Sequence, residues 1–157
     1  MVFPLKGFTL KWYDQMIHSS RLHRALMNSV KVGVIASIFS TFIALLAAKA
    51  FTKYKVKLRQ LSYGAILLPF VIPEIIIAVS LIVLWTGMGL QLGLVPVTIS
   101  HILFCTPFCM LVLISRMEGF DRNLEEAAMD LGENAWGTFW RVTFPLALPA
   151  IVASLLL

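Results

Sequence analysis

Three sets of side chains in this 157-residue chain are reactive or ligating by type. The first is the stretch 125–145, EEAAMDLGENAWGTFWRVTFP, where acids, alanines and aromatics sit between two apolar stretches. The second is Glu74, a lone carboxylate within an apolar run, suited to meeting a cation. The third is His101, Cys105 and Cys109, which fall at i, i+4 and i+8 on one side of a helix and are the ligand types soft metals favour. Pro107 bends that helix, no carboxylate stands near, and cysteine is a common small residue in apolar packing, so neither a metal nor a cofactor is expected. The sequence contains no GxxxxGKS/T phosphate loop, no GxSxG and no HExxH. Nucleotide binding by that loop is thereby excluded, no motif nominates a hydrolase, and the chain is not expected to be an enzyme.

The solvent that must position these groups follows from composition. Hydrophobic residues make up 59% and charged residues 13%, whereas soluble domains carry about 25% charged residues. The charges are also segregated. Residues 63–85 hold only Glu74, and none of Asp, Glu, Lys or Arg occurs in 86–115. Lipid is the medium such gaps imply.

Four membrane spans are expected. Residues 32–51 carry only Lys49, near their end; residues 63–85 and 95–115 follow, separated by an uncharged loop whose Gly87, Gly89 and Gly93 suit a turn. The fourth, 142–157, is still apolar at Leu157 and reads as partial. Residues 1–26 read as an external or interfacial segment. Lys6, Lys11, Arg21 and Arg24 stand there among Phe3, Phe8, Trp12 and Tyr13, with no apolar run of signal-peptide type. His18 and His23 are expected to be solvated, and both cysteines fall inside the bilayer, which argues against a structural disulfide.

Basic residues set the orientation. Lys53, Lys55, Lys57 and Arg59 follow Lys49 with no acid nearby, so the positive-inside rule puts 52–60 in the cytoplasm, 86–94 outside and 116–141 in the cytoplasm again. That rule discounts Asp and Glu, so the six acids of 116–141 do not oppose the assignment. The net charge of +5 is concentrated in residues 1–60 and reads as topology, with no nucleic acid partner.

Within 116–141, Leu124, Ala127, Ala128 and Leu131 recur at i, i+3, i+4 and i+7, while Asp121, Arg122, Glu125, Glu126, Asp130 and Glu133 fill the remaining positions. The spacing predicts a short helix with a small-residue face and a charged rim. Ala127 and Ala128 allow another backbone to come close, and Gly132 can take the left-handed conformation that ends a helix. A second piece, 134–140, offers Trp136, Phe139 and Trp140 to the interface, with Pro145 and Pro149 beyond. A polar helix cannot cross lipid, and acids are repelled by the negative cytoplasmic leaflet. The segment is therefore read as a docking element for a soluble partner.

Glu126, Ala127 and Ala128, then Gly132 after three residues, then Val142, Thr143, Phe144 and Pro145 after nine more, resemble the EAA signature of ABC-importer permeases. Val142 and Phe144 replace the usual Ile and Leu. FTLKWYDQM at 8–16, LPFVIPE at 68–74 and FCTPF at 104–108 are similar to the second permease of spermidine/putrescine-type importers. The resemblance implies an all-α polytopic bundle of MetI-like type, with the coupling set Glu125, Glu126, Ala127, Ala128, Leu131, Gly132 and Pro145 fitting a groove of a cytoplasmic ATPase. It also implies a pair of ATPase subunits, a second permease subunit and an external substrate-binding protein as partners in a bacterial inner membrane. Similar permeases carry more spans than the three complete and one partial span here, so the chain is expected to be truncated at both ends. Polyamine is the solute the resemblance favours, with Glu74 a candidate for its path. Iron, thiosulfate, an opine or an organophosphonate are alternatives within the class, and a membrane scaffold whose acidic helix binds another protein is the alternative outside it.

Overall fold

A run of helix-compatible residues with no proline carries one uninterrupted helix from the polar N-terminal region deep into the bundle. In the computed structural model, which describes residues 9–53, 59–121 and 123–157 and no side chains at 59 and 60, this is α2, Ser20–Lys53, preceded by the short α1, Lys11–Ile17. At 1.5 Å per residue α2 is about 51 Å long, beyond the roughly 30 Å of a hydrocarbon core. The expected external or interfacial segment 1–26 thus shares its last residues with this helix. Residues 20–26 are the first turns of α2, because no Gly or Pro falls between Ser20 and Lys31 to stop the helix. Phe3, Lys6, Phe8, Lys55, Lys57 and Arg122, which entered the expectations above, lie outside the described residues.

The second apolar stretch is not one straight span. It forms α3, Arg59–Val71, and α4, Glu74–Gly87, bent by 97° at residues 72–73. Pro73 has no N–H to continue the ladder and holds Ile72 away from helical geometry. Its own carbonyl starts α4, accepting from Ile76 N at 2.9 Å. Gly89 turns the chain at φ +74°, and α5 follows over Leu94–Glu118. Asn123–Asp130 is α6 and Ala135–Thr138 is α7, capped by the Asn134 side chain accepting from Gly137 N at 2.8 Å. A π-helical turn, Phe139–Thr143, leads into α8, Phe144–Leu156. From Ala135 to Leu156 the helix is long and apolar enough to span, and it contains all but the last residue of the expected span 142–157. Three helices are long and apolar enough to cross a membrane, four with the bent pair, and no strand occurs among the described residues.

Packing fixes the direction of each helix. Residues 31–39 of α2 lie beside the start of α5, and residues 44–51 pack with Cys109, Leu113, Ile114 and Met117 near its end, so α2 and α5 run parallel. Between them the chain must cross from the Lys53 end to the Leu94 end, and α3 and α4 make that crossing. Phe51 meets Tyr63, Phe70 meets Phe108, and Trp85 Nε1 donates to Ser100 Oγ at 2.8 Å, in order along the way. The bent pair is thus a broken span. A re-entrant loop would leave α5 starting at the wrong end. Helix α8 runs back antiparallel, with Thr143 near Lys49 and the Ser154 carbonyl 3.6 Å from Cys109 Sγ.

The seam is built from small residues. Ala36, Ser40, Ala44 and Ala48 recur every fourth position on the buried face of α2, opposite Ala147, Ala150 and Ser154 of α8 and the core residues of α5. Val34, Ile38, Phe42 and Leu46 recur at the same interval on its exposed face. Small residues inside and large ones outside reverse the soluble pattern and match bundles in lipid, where close backbone approach drives association.

Candidate functional site

The acidic stretch forms a helix where the spacing placed one, with a single acid, Glu125, turned toward the bundle. None of its residues is buried. Leu131, just past its end, is 88% exposed and Leu124 is 47% exposed; Glu126 and Ala127 are exposed and Ala128 is half-buried. Gly132 sits at φ +92°, the left-handed conformation expected of it, and the Gly132 N–H donates to Met129 O at 3.0 Å to close the turn. Pro145 lies in the first turn of α8, directly after the π-helical turn.

The residue that points inward is the charged Glu125. Its carboxylate accepts a hydrogen bond from Thr143 Oγ1 of the π-helical turn and lies 3.8 Å from Lys49 Nζ and 3.5 Å from Lys53 Nζ of α2. Lys49 Nζ also donates to Thr143 Oγ1 at 3.3 Å and stands 4.4 Å from the centre of the Phe139 ring. Burial of Glu125 works to raise its pKa, but the Thr143 hydrogen bond and the two ammonium charges outweigh it and hold the carboxyl below its ordinary 4.5. Around this group opens a cleft of about 550 Å³, lined by Met117, Leu124, Met129, Val142 and Leu146 beside the charges. Glu133 pairs with Arg141 across the α6–α7 turn, and Trp136, Phe139, Trp140 and Phe144 form a stepped aromatic cluster beside it.

Lys49, Lys53 and Thr143 were not singled out by spacing. A signal existed for Lys49, the one charge in an apolar span, since a cation at membrane depth requires a partner. Sequence distance hid which partner it was.

The remaining candidates stand apart from this site. Glu74 occupies the first turn of α4, at the break rather than within a continuous helix, and is exposed. A carboxylate there faces the positive end of the α4 dipole. His101, Cys105 and Cys109 do not converge. His101 is exposed with Nδ1 2.8 Å from Val97 O, while Cys109 is buried and faces Ser40 Oγ at 3.7 Å. Among the described residues no group of His, Cys, Asp and Glu has metal-site geometry.

Comparison with known proteins gives this architecture a class. The sequence model of the family described as "Binding-protein-dependent transport system inner membrane component" matches residues 40–157. The chain is 36% identical over 149 residues to the spermidine/putrescine transport system permease protein PotC of Escherichia coli (strain K12), covering 95% of this chain and 56% of that protein. It is 34% identical over 152 residues to the PotC protein of Haemophilus influenzae, covering 97% and 59%. Identity to the putrescine transport system permease protein PotI of Escherichia coli (strain K12) is 27% over 159 residues. The chain belongs to this family of inner membrane transport components, and it is a multi-pass, all-α protein of the bacterial inner membrane. It spans 56% of the length of the first of these relatives.

Proposed function

We propose that the chain forms part of the translocation path of an ATP-driven importer for a polyamine such as spermidine or putrescine, and that residues 123–132 couple it to a cytoplasmic ATPase. The carrying observation is the tethering of α6, in which Glu125 is tied inward while Ala127 and Leu131 face out. An amphipathic helix normally buries its apolar face in its own protein. Here Leu124 borders the cleft and Ala128 is half-buried, but Ala127 and Leu131 stay open to a partner, whose backbone the small Ala127 side chain lets approach. The occupant is a groove of the ATPase subunit, with a dimer of such subunits, a second permease and an external binding protein completing the assembly.

Orientation supports the same reading. Lys49, Lys53, Arg116 and Arg141 share the end of the bundle that bears α6, which by the positive-inside rule supports a cytoplasmic position for that end. Names of the relatives support polyamine as solute, and Glu74, exposed where α3 and α4 diverge, is proposed to line the path of such a cation.

Replacing Ala128 by Asp tests the docking. The variant is expected to insert normally, lose copurification with the ATPase and lose ATP-dependent spermidine uptake. Normal uptake and copurification would overturn the reading. In the unaltered importer, ATP-dependent uptake of labelled spermidine or putrescine is expected; uptake of neither would remove polyamine as the solute.

A further inference from the structure

We infer that Glu125 is a positioning residue, the strut through which α6 is held rigidly to α2 and α8 so that force applied at its outer face reaches the bundle. The inference rests on the coupling role proposed for α6.

Three observations carry it. Helix α6 has eight residues and buries none of them, and isolated helices shorter than about 12 residues are marginal in water. Its direction in space therefore depends on what ties it down. The tie is one carboxylate reaching two helices at once, through Lys49 and Lys53 of α2 and Thr143 at the entry to α8. Finally, Thr143 closes a π-helical turn, a feature that recurs at functional sites and here sets the face that the threonine presents. With Thr138, Phe139 and Thr143 all turned inward, the hydroxyl meets both Glu125 and Lys49. Glu125 does not meet the ATPase; it fixes the residues that do.

The test uses the assembled importer in lipid nanodiscs for hydrogen exchange at 123–131, and the same complex in proteoliposomes for spermidine uptake per ATP hydrolysed. Glu125→Gln is expected to speed exchange in α6 about tenfold and to lower uptake per ATP by a similar factor, while the ATPase still copurifies. Because a glutamine oxygen can still accept from Thr143, the double variant is built on alanine: Glu125→Ala/Thr143→Val is expected to be no worse than Glu125→Ala alone, since both remove one tie. Losses that multiply in the double variant would overturn the inference, since they mark independent structural damage. Unchanged exchange with unchanged uptake per ATP would overturn it as well. Should Glu125→Gln fail to insert, Lys53→Met removes one cation and leaves Lys49 in place; faster exchange in α6 supports the strut and unchanged exchange refutes it. Ala127→Asp separates the two readings. If it leaves coupling intact while Glu125→Gln loosens α6, docking falls and the strut stands; the reverse pattern removes the strut alone.

Discussion

Replacing Ala44 by Leu should be the most damaging apolar change available in α2. Ala44 is 0% exposed, one of four small residues at every fourth position, and lies within the core that includes Leu45, Ala48, Cys109 and Leu113. Leucine adds three heavy atoms where no surface is open, so α2 and α5 must separate or side chains must leave their rotamers. Overpacking of this kind costs about 1–3 kcal/mol, and three added atoms place this case near the upper end. Ala50→Leu supplies the control, the same atoms added on the exposed face of the same helix, where lipid accepts them and the change should stay within about 0.5 kcal/mol. Both variants would be unfolded by denaturing detergent in bicelles and compared with the parent. A difference of about 3 kcal/mol between them corresponds to over a hundredfold in the folding equilibrium. Equal midpoints for the two variants would refute the assignment of the small-residue seam as the contact that holds α2 in the bundle.

Three further outcomes follow from local geometry. Gly132→Val forces a β-branched residue to φ +92° and should cost about 1–2 kcal/mol locally, seen as faster hydrogen exchange after Asp130, whereas Gly132→Asn should cost less. Because the Glu125 carboxyl is held below 4.5, its contribution to α6 should be complete above that pH and lost as pH falls through the lowered folded-state value; loss of α6 protection centred above 4.5 would contradict this. Pro73→Ala restores a backbone donor at the 97° bend and should lengthen the distance between spin labels at Leu67 and Val79, with an unchanged distance counting against proline as the cause.

Much of the architecture was legible because lipid imposes a simple rule on sequence. Apolar runs free of charge marked α5 and the buried parts of α2 and α8, and Gly132 marked the end of α6 since little else tolerates its conformation. Boundaries were less legible. Nothing in the polar residues of 1–26 showed that 20–26 continue the helix of the first span, since a long helix needs no apolar face once it leaves the bilayer. Trp136 and Phe139 read as an interfacial piece, yet they belong to one helix with α8 because a π-helical turn absorbs the register change. Of the two prolines in span two only Pro73 stands at the break: Pro69 lies inside α3. Orientation of α6 was the least legible feature. Helical spacing identified its two faces but not which acid turns inward, since the partners of Glu125, Lys49 and Thr143, are far away in sequence.

Accessibility of α6 tests the central claim most directly. With Cys105 and Cys109 replaced by Ala, a single cysteine at Ala127 should react with a membrane-impermeant maleimide from the cytoplasmic side only, and the assembled ATPase should protect it. Labelling from the external side, or undiminished labelling in the complex with the ATPase bound, would contradict the account.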